Sequence, residues 1–412
     1  MKKKLTISCI ILISLFLVNC QKKTEKLEPI TICVESQFAD DTKRLLDLWK
    51  SINQEVNGKL EILPTDEDSR DIRITAIRTE LMAGEGPDIF ILSTDNPGYT
   101  NLFENPEKAM YSDMFLPLDS FLEQADHINT ENWNSKIWKA GKTEEGQMIL
   151  PLTYFYEKYA FPKSILGSTE TIPSSWEELI ECGNSSIQGA MFLYTYRFYP
   201  LFGEIANYKE EELLFTQKEL FKWAEEASAY ITANEEQDID VSNVICTNGD
   251  EDNFYTSLSN SQEEMIISGF PNVDGGTTAL IQTYVAVNRN TKMKEEAFSF
   301  LDLLFRDEIL CSQSINYKEE VLDCNLPSIL SKPSIHNDDL PIRYPKLSEA
   351  DLLSLKKTDE QITAVRFRSD IEKELEDMFW PYFQSYYHGE NKKIREEILS
   401  KTYETIQMKL LE

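Results

Sequence analysis

Aromatic side chains able to bind a sugar are concentrated in segment 191–202, which has the sequence MFLYTYRFYPLF. An aromatic ring can stack against the apolar C–H face of a pyranose while a tyrosine hydroxyl reaches one of its oxygens. If the segment is extended, Tyr194 and Tyr196 project to one face, because side chains alternate along a strand. We therefore expect Tyr194 and Tyr196 to face a ligand, whereas Phe192 and Phe202 pack in a core.

Polar side chains that could hydrogen-bond a ligand follow two buried apolar segments. Thr94 and Asp95 come directly after one of them, and Gln37 follows the other, at 30–34. The carboxylate of Asp95 could accept hydrogen bonds from two sugar hydroxyls. It equally suits the cap of a following helix, or the turn that the Pro-Gly pair at 97–98 favours. Both interpretations of Asp95 remain open.

Residue sets typical of enzymatic or metal chemistry are absent from the sequence. The three histidines, His127, His336 and His388, form neither an HExxH pair nor a Cys–His zinc spacing. The chain has no GxSxG, P-loop or GxGxxG motif. The acidic runs at 66–68 and 250–252 do not match a calcium loop, so we interpret them as solvated loops. We expect no catalytic residue, metal or cofactor, with a glycosidase carboxylate pair as the alternative.

The first twenty residues have the pattern of an export signal. A basic start, MKKK, precedes an apolar run at 5–18 that is shorter than the roughly 20 residues of a transmembrane helix. The run ends in LVNC, which resembles a bacterial lipobox and predicts a signal peptide over 1–19 and lipidation of Cys20. Asn19 departs from the small residue usual before that cysteine. An uncleaved signal anchor, or cleavage with an incidental Cys20, stays as the alternative.

Charge and polarity narrow the range of partners. Apart from Cys20 and Leu27, residues 20–27 are polar or charged, which predicts a flexible tether. The 412-residue chain has 71 Asp and Glu against 41 Lys and Arg, a formal net charge of −30. An acidic chain of this kind repels nucleic acid, which we therefore do not expect as a partner. Cys311 and Cys324 could form a disulfide, but buried free thiols are the simpler interpretation.

The elements that must position these side chains alternate between strands and helices. Buried strands are predicted at 30–34, 59–63 and 88–92, and amphipathic helices at 40–56 and 72–82. Strands and helices that alternate with short connections imply parallel pairing and an α/β lobe. Ligands of such sheets bind at the carboxyl ends of the strands, which is where the polar candidates lie.

Several motifs, in a fixed order, are similar to those of the extracellular solute-binding proteins of ABC importers, the family that includes maltose-binding protein. The most specific is AGEGPDIF at 83–90, whose glycines end a helix and whose proline begins the next segment. The others are the Leu-Pro segment within 147–163, PSSWEEL at 173–179, FPNVDGG at 270–276, EEAFSFL at 295–301, and the last helix pair from 389. These motifs span nearly the whole chain beyond the signal.

The resemblance implies an α/β fold of two lobes, the periplasmic-binding-protein or Venus-flytrap fold, with a ligand cleft that closes by hinge motion. By these landmarks the lobe boundaries are 28–153 plus 284–330 for lobe 1, 157–282 plus 331–412 for lobe 2, and hinge crossings at 154–156 and 283. The polar stretch 331–353 is predicted to be a loop.

The resemblance also implies site residues and partners. It places Tyr194 and Tyr196 on the cleft, with Tyr154 and Tyr156 on the crossing strand and Trp380 as an aromatic wall. It implies a monomeric, non-enzymatic lipoprotein on the extracytoplasmic face of the cell membrane. Such a protein passes a small ligand, expected to be a carbohydrate, to the permease subunits of an ABC importer. A lipid-anchored glycoside hydrolase and a binding protein that serves a membrane sensor are the rival interpretations.

Overall fold

The computed structural model describes residues 28–53, 56–94, 100–166, 171–235, 237, 241–317, 320–322 and 325–411. Asp95, Cys20 and Cys324 lie outside these ranges, as do the signal peptide and tether expected at 1–27. Within the described ranges, no helix has both the length and the apolar character needed to cross a membrane. Cys311 is a buried free thiol whose Sγ lies 3.4 Å from Nδ1 of His336.

Strands and helices alternate along much of the described chain. The strands are β1 (Ile30–Val34), β2 (Gly58–Ile62), β3 (Ile89–Ser93), β4 (Lys142–Thr143), β5 (Gly146–Gln147), β6 (Ile149–Phe155), β7 (Lys158–Pro162), β8 (Ala206–Asn207), β9 (Glu212–Leu213), β10 (Ile245–Cys246), β11 (Met265–Gly269), β12 (Thr277–Val287), β13 (Ile315–Tyr317), β14 (Glu320–Leu322) and β15 (Ile362–Phe367). The helices are α1 (Ala39–Ile52), α2 (Glu67–Met82), α3 (Pro106–Tyr111), α4 (Asp119–Leu122), α5 (Ser135–Lys139), α6 (Lys163–Leu166), α7 (Trp176–Glu181), α8 (Ser185–Thr195), α9 (Gln217–Glu235), α10 (Glu251–Asn260), α11 (Lys294–Leu304), α12 (Asp307–Leu310), α13 (Asp339–Arg343), α14 (Glu349–Glu360), α15 (Asp370–Tyr387) and α16 (Lys392–Leu411). Short 3₁₀ turns lie at Ser36–Phe38, Thr130–Asn132 and Tyr199–Leu201.

A large sheet forms the centre of the first lobe, with the strand order β15–β12–β3–β1–β2 and with β6 paired to β12. β1 runs parallel to both β2 and β3, as the alternation of strands and helices predicted. β12 is antiparallel to β3 and β6 but parallel to β15, so the sheet is mixed. Successive side chains of β1 and β3 are buried on both faces of the sheet, which explains why their sequences are almost unbroken apolar runs.

A small sheet of β10, β7 and β11 lies in the second lobe. Tyr159 and Phe161 of β7 pack in a core with residues of α9, α15 and α16. Ala160, between them, packs instead with Phe254 of α10 and Leu355 of α14. Alternation along the strand places these side chains on opposite faces. The second lobe therefore has a core on each side of its sheet.

The chain passes between the lobes at short connections. One lies at 156–157, between β6 and β7, and another lies at 270–276, between β11 and β12. All of β12 belongs to the large sheet, so this second crossing precedes position 283, where it was expected. β15 also belongs to the large sheet, although residues 331–412 were expected in lobe 2. The reason is that the buried Ile362 and Phe367 of β15 join the core of the first lobe.

The aromatic segment 191–202 is helical at its start rather than extended, because α8 runs into it and a 3₁₀ turn follows. The side chain of Asn184 caps α8 by accepting hydrogen bonds from the backbone N–H groups of Ser186 and Ile187. Ile187 and Met191, four residues apart, bury one stripe of the helix. The cap and this buried stripe outweigh the strand preference of aromatic residues.

Helix caps account for other polar motifs. Ser175 accepts the backbone N–H of Glu178 at the start of α7, as the PSSWEEL motif predicted. Asp66 and Asp250, which begin the acidic runs interpreted as loops, instead cap α2 and α10 by accepting backbone N–H groups three residues ahead. The stretch 331–353, predicted to be a loop, contains α13 and the start of α14, because their apolar residues pack against the core around Ala160.

Candidate ligand-binding cleft

A cavity of about 270 Å³ opens between the two lobes. The wall from the first lobe consists of Phe155, at the end of β6, with Leu280 and Gln282 of β12. The opposite wall comes from the end of α8 and from the turn after β10. We call this space the interlobe cavity. It is concave, partly apolar and placed between domains, which are common features of small-molecule sites.

The wall from the second lobe forms where α8 ends. Phe198 has a positive φ of 60°, and its buried ring stacks on that of Phe379 with 4.5 Å between centroids. The burial of this ring anchors the turn in the core of the second lobe. The neighbouring residues Tyr194, Arg197 and Tyr199 line the interlobe cavity.

The phenol of Tyr194 is a neutral hydrogen-bond donor at this wall. Desolvation by burial raises the pKa of Tyr194 well above its ordinary value, and the nearby Tyr199 and Glu157 raise it further. The ring packs edge-on against Phe270, with 5.3 Å between ring centroids. Tyr194 can therefore offer both an aromatic surface and an O–H group to a ligand.

A turn at Asn248 and Gly249 completes this wall. Both residues have positive φ, 43° and 80°, a conformation that Asn and Gly adopt more readily than other residues. The carboxylate of Glu157 accepts the backbone N–H of Asn248 at 2.7 Å, and Nζ of Lys332 donates to the carbonyl of Gly249. Burial raises the pKa of Glu157, while the hydrogen bond from Asn248 lowers it. Because Glu157 lies on a connection between the lobes, this hydrogen bond joins the connection directly to the cavity wall.

Three cationic side chains from separate parts of the chain line the interlobe cavity: Arg197, Lys332 and Arg368. Arg368 follows β15, and its guanidinium lies 5.2 Å from the centroid of the Tyr199 ring. Glu376 of α15 pairs with Arg368 at 2.6 Å and lies 3.7 Å from Arg197. Among the described residues that line the cavity, none is Asp or Glu. The described lining residues thus carry positive charge in a chain whose net charge is −30.

A second cavity, of about 490 Å³, adjoins the first and shares Arg368 with it. Thr94 lies in its wall, where its buried hydroxyl donates a hydrogen bond to the carbonyl of Ile281. Many of its lining residues are acidic, and some of them are paired, as Asp370 is with Lys409 at 3.0 Å. No aromatic side chain of the described residues lines this cavity, so it lacks a surface for stacking.

Tyr154 and Tyr156, which were expected in the cleft, point toward α14. Tyr156 donates its hydroxyl to Oδ1 of Asp359 at 2.6 Å, and the hydroxyl of Tyr154 lies 3.4 Å from Oδ2. Both rings are buried, and burial raises the pKa of Asp359. Neither tyrosine is among the residues that line the two cavities, whereas Phe155 between them lines the first. The alternation of side chains along β6 explains this difference.

Tyr196 and Trp380 contact one another, with 6.2 Å between ring centroids. Tyr196 also packs edge-on against Phe383 at 5.3 Å, and its hydroxyl donates to Glu235. Trp380 is 57% exposed. Neither Tyr196 nor Trp380 is among the lining residues of the two cavities, so they form a separate aromatic surface on the second lobe.

The structure brings Tyr194 to the interlobe cavity and Thr94 to the second cavity. Gln37 is exposed in the 3₁₀ turn after β1. Sequence reasoning missed Lys332 and Arg368, because each lies outside any motif and reaches the cavity only through the pairing and crossing of distant elements. Arg197 lies in the aromatic segment 191–202 but was not predicted as a site residue. No group of three metal-ligating side chains is present in the part of the chain that the structure describes.

A cavity between two α/β lobes, with walls from both lobes and from the connections that join them, is the arrangement of hinge-closing binding proteins. No protein-family model and no curated sequence matches the chain. Its fold nevertheless matches that of extracellular solute-binding proteins, as the order of the motifs predicted.

Three solved structures illustrate the similarity. A family 1 extracellular solute-binding protein from Alicyclobacillus acidocaldarius has a TM-score of 0.58 at 12% identity, over 93% of this chain and 100% of that one. The sugar-binding protein MalE of Xanthomonas citri has a TM-score of 0.59 at 9% identity, over 93% and 98%. A periplasmic oligogalacturonide-binding protein from Yersinia enterocolitica has a TM-score of 0.53 at 11% identity, over 92% and 99%. The shared property at these identities is the two-lobed fold.

Proposed function

We propose that this protein is an extracytoplasmic solute-binding protein that captures a small ligand between its lobes and delivers it to the permease of an ABC importer. The observation that carries the proposal is the interlobe cavity, whose walls come from both lobes and from residues beside the crossing connections. Rotation at these connections would bring the walls together around a ligand. The ligand drives this closure by binding more tightly to the closed state than to the open one.

The ligand class that we propose is a carbohydrate. Phe155, Tyr194 and Tyr199 supply aromatic surfaces at the interlobe cavity, and the side-chain amides of Asn248 and Gln282 supply donors and acceptors. Similar structures include proteins named for binding a sugar and an oligogalacturonide. The combination of stacking surfaces with amide groups supports a ligand that has both an apolar face and hydroxyl groups.

The location that we propose is the extracytoplasmic face of the membrane, through a lipid on Cys20. Replacing Cys20 by Ala should release the protein from the membrane fraction, because the thiol is the site of lipid attachment. Cys9→Ala, a matched change inside the apolar run, should leave attachment intact. Fractionation followed by immunoblotting measures both outcomes, and a Cys20→Ala variant that stays as firmly membrane-bound as the parent contradicts the proposal.

A thermal-shift screen tests the binding function. Neutral sugars, acidic sugars, sugar phosphates, peptides and polyamines are each added to the mature protein, since any ligand that binds the folded state raises Tm by mass action. A rise in Tm with one class of solute identifies the chemical class of the ligand. If no class of solute raises Tm, the proposed function is contradicted. The same samples are then analysed for shortened glycans, which a lipid-anchored glycoside hydrolase would release and a binding protein would not.

A further inference from the structure

The cations of the interlobe cavity approach it from different elements. Arg197 follows α8 of the second lobe, Arg368 follows β15 of the large sheet, and Lys332 lies on the connection before α13. The side chains of Arg197 and Arg368 are 51% and 19% exposed, so the open cavity leaves both guanidinium groups in reach of solvent. A ligand in the cavity would therefore meet positive charge from both lobes.

The described carboxylates neutralise this charge only in part. Glu376 is shared between Arg368, at 2.6 Å, and Arg197, at 3.7 Å. Nζ of Lys332 donates to a backbone carbonyl and lies 5.3 Å from the ring centroid of Phe155, and none of the described carboxylates forms an ion pair with it. Arg197, 3.7 Å from a carboxylate that it shares, and Lys332 therefore keep positive charge that the described carboxylates neutralise only in part.

Closure around a neutral solute would carry a desolvation penalty here, because it would remove water from Arg197 and Lys332 without giving either an anionic partner. Guanidinium groups bind carboxylates and phosphates through paired N–H···O bonds, and an ammonium group binds them as a point charge. We propose that the ligand carries an anionic oxygen group, a carboxylate or a phosphate, which Arg197, Lys332 and Arg368 bind from both lobes. The inference rests on the proposed function and narrows its ligand from carbohydrates in general to acidic ones.

The anion also gives a physical reason for closure. Arg197 and Arg368 share the carboxylate of Glu376, at 3.7 and 2.6 Å. A ligand anion bound beside them, within reach of Lys332, would be attracted to residues of both lobes. That interaction is available only when the walls approach, so it stabilises the closed state over the open one.

The acidic second cavity is a weaker candidate for the same role. Its Asp370 and Glu374 both contact Lys409, at 3.0 and 3.2 Å, so part of its negative charge is already neutralised. It also has no aromatic wall among the described residues. A cationic solute in this cavity is nevertheless the natural rival and enters the experiment as spermidine.

Calorimetric titration with matched probes tests the inference. Trigalacturonate is compared with its neutral methyl ester, and glucose 6-phosphate with glucose, so that each pair differs in the anionic group. Inorganic phosphate and spermidine complete the set. We expect at least one acidic probe to bind ten-fold or more tightly than its neutral partner, with an affinity that falls as salt is added. The preferred pair distinguishes a carboxylate from a phosphate.

Single variants then test whether the cations of the interlobe cavity bind the anionic group of the probe. R197Q and K332Q should each weaken binding of the preferred acidic probe by about ten- to a hundred-fold, as expected for loss of a charge-assisted hydrogen bond. R197K, which keeps the charge, should recover part of the loss. K393Q removes the same charge from an exposed position of α16 and should bind as the parent does. Thermal melts of all four variants confirm that they are folded.

The outcomes separate this inference from the proposed function. Equal binding of neutral and acidic probes, with no loss in R197Q or K332Q, overturns the inference and leaves the binding function in place. Preferential binding of spermidine overturns the inference as well, because a cationic ligand would be bound by acidic residues and not by Arg197 and Lys332. Failure of every probe and of every solute in the thermal-shift screen overturns the proposed function, and the inference with it.

Discussion

Glu107 of α3 is a buried carboxyl group near α15 of the opposite lobe. Its Oε1 accepts the backbone N–H of Phe367 at 3.3 Å. Its pKa is raised to about 8, first by burial and then by the nearby Glu372 and Glu204, against the attraction of Arg366. Glu107 therefore exchanges a proton near neutral pH, at the junction of the two lobes.

Replacing Glu107 by Gln should alter how stability depends on pH. The folded state holds a proton that the unfolded chain releases above its ordinary pKa of 4.5. The stabilisation from this proton is complete below pH 4.5 and is lost as pH rises through about 8. We expect E107Q to match the parent in acid and to be the more stable of the two at pH 9. Urea unfolding across this pH range measures the difference, and identical pH profiles would contradict the assignment.

Tyr194→Ala should weaken binding of the solute identified in the thermal-shift screen by about ten-fold. Stacking contributes about 0.5–1.5 kcal/mol and a hydrogen bond about as much. Tyr196→Ala makes the same change two residues away, outside both cavities, and should keep near-normal affinity. Calorimetry gives both affinities. Thermal melts show whether losing the ring contact between Tyr194 and Phe270 lowers the stability of the Tyr194→Ala variant. A larger loss in Tyr196→Ala would favour the sequence-based prediction that Tyr196 stacks on the ligand.

At the scale of elements, a buried ion pair ties the first crossing connection to the second lobe. Nζ of Lys158, at the start of β7, lies 2.5 Å from Oε1 of Glu251, at the start of α10, and the two side chains are 3% and 1% exposed. The same ammonium lies 3.9 Å from the ring centroid of Tyr156. The connection at 156–157 is therefore anchored to the second lobe on one side.

Lys158→Met should lower the free energy of unfolding by about 3–5 kcal/mol, because it leaves the carboxylate of Glu251 buried without its partner. The double variant Lys158→Met with Glu251→Met should recover much of the loss, since removing both charges also removes both desolvation penalties. Chemical denaturation of the parent, the single variants and the double variant gives the coupling energy.

The exposed pair Lys163–Glu264 is a matched control on the same part of the chain. These residues are 3.0 Å apart and are 59% and 67% exposed, so Lys163→Met should change stability by less than about 1 kcal/mol. Equal, small effects of Lys158→Met and Lys163→Met would show that the buried pair does not stabilise the crossing.

At the scale of the whole molecule, ligand binding should make the protein more compact. The interlobe cavity has walls from both lobes, so closure brings the two cores closer together. Small-angle X-ray scattering should show a lower radius of gyration at saturating ligand than without it. A solute that gives no thermal shift is the control. An unchanged scattering profile at saturation would contradict hinge closure.

The sequence alone determined the local elements around the large sheet. β1 occupies the predicted range 30–34, and β2 and β3 lie within one residue of theirs. The turn between α2 and β3 was also predictable, because Gly84 and Gly86 take positive φ values of 77° and 97°, which glycine adopts readily. Each of these features depends on residues close together in the chain, and so do the caps formed by Ser175 and Asp66.

Only the tertiary structure decided which residues line the interlobe cavity. Arg368 reaches it because β15 pairs with β12 in the large sheet, and Phe155 reaches it while its neighbours Tyr154 and Tyr156 turn toward Asp359. These outcomes depend on strand register and on which core an element joins. Apolar periodicity predicts that a residue is buried, but it does not specify which distant element buries it. The charge of the cavity therefore emerged only when elements far apart in sequence were brought together.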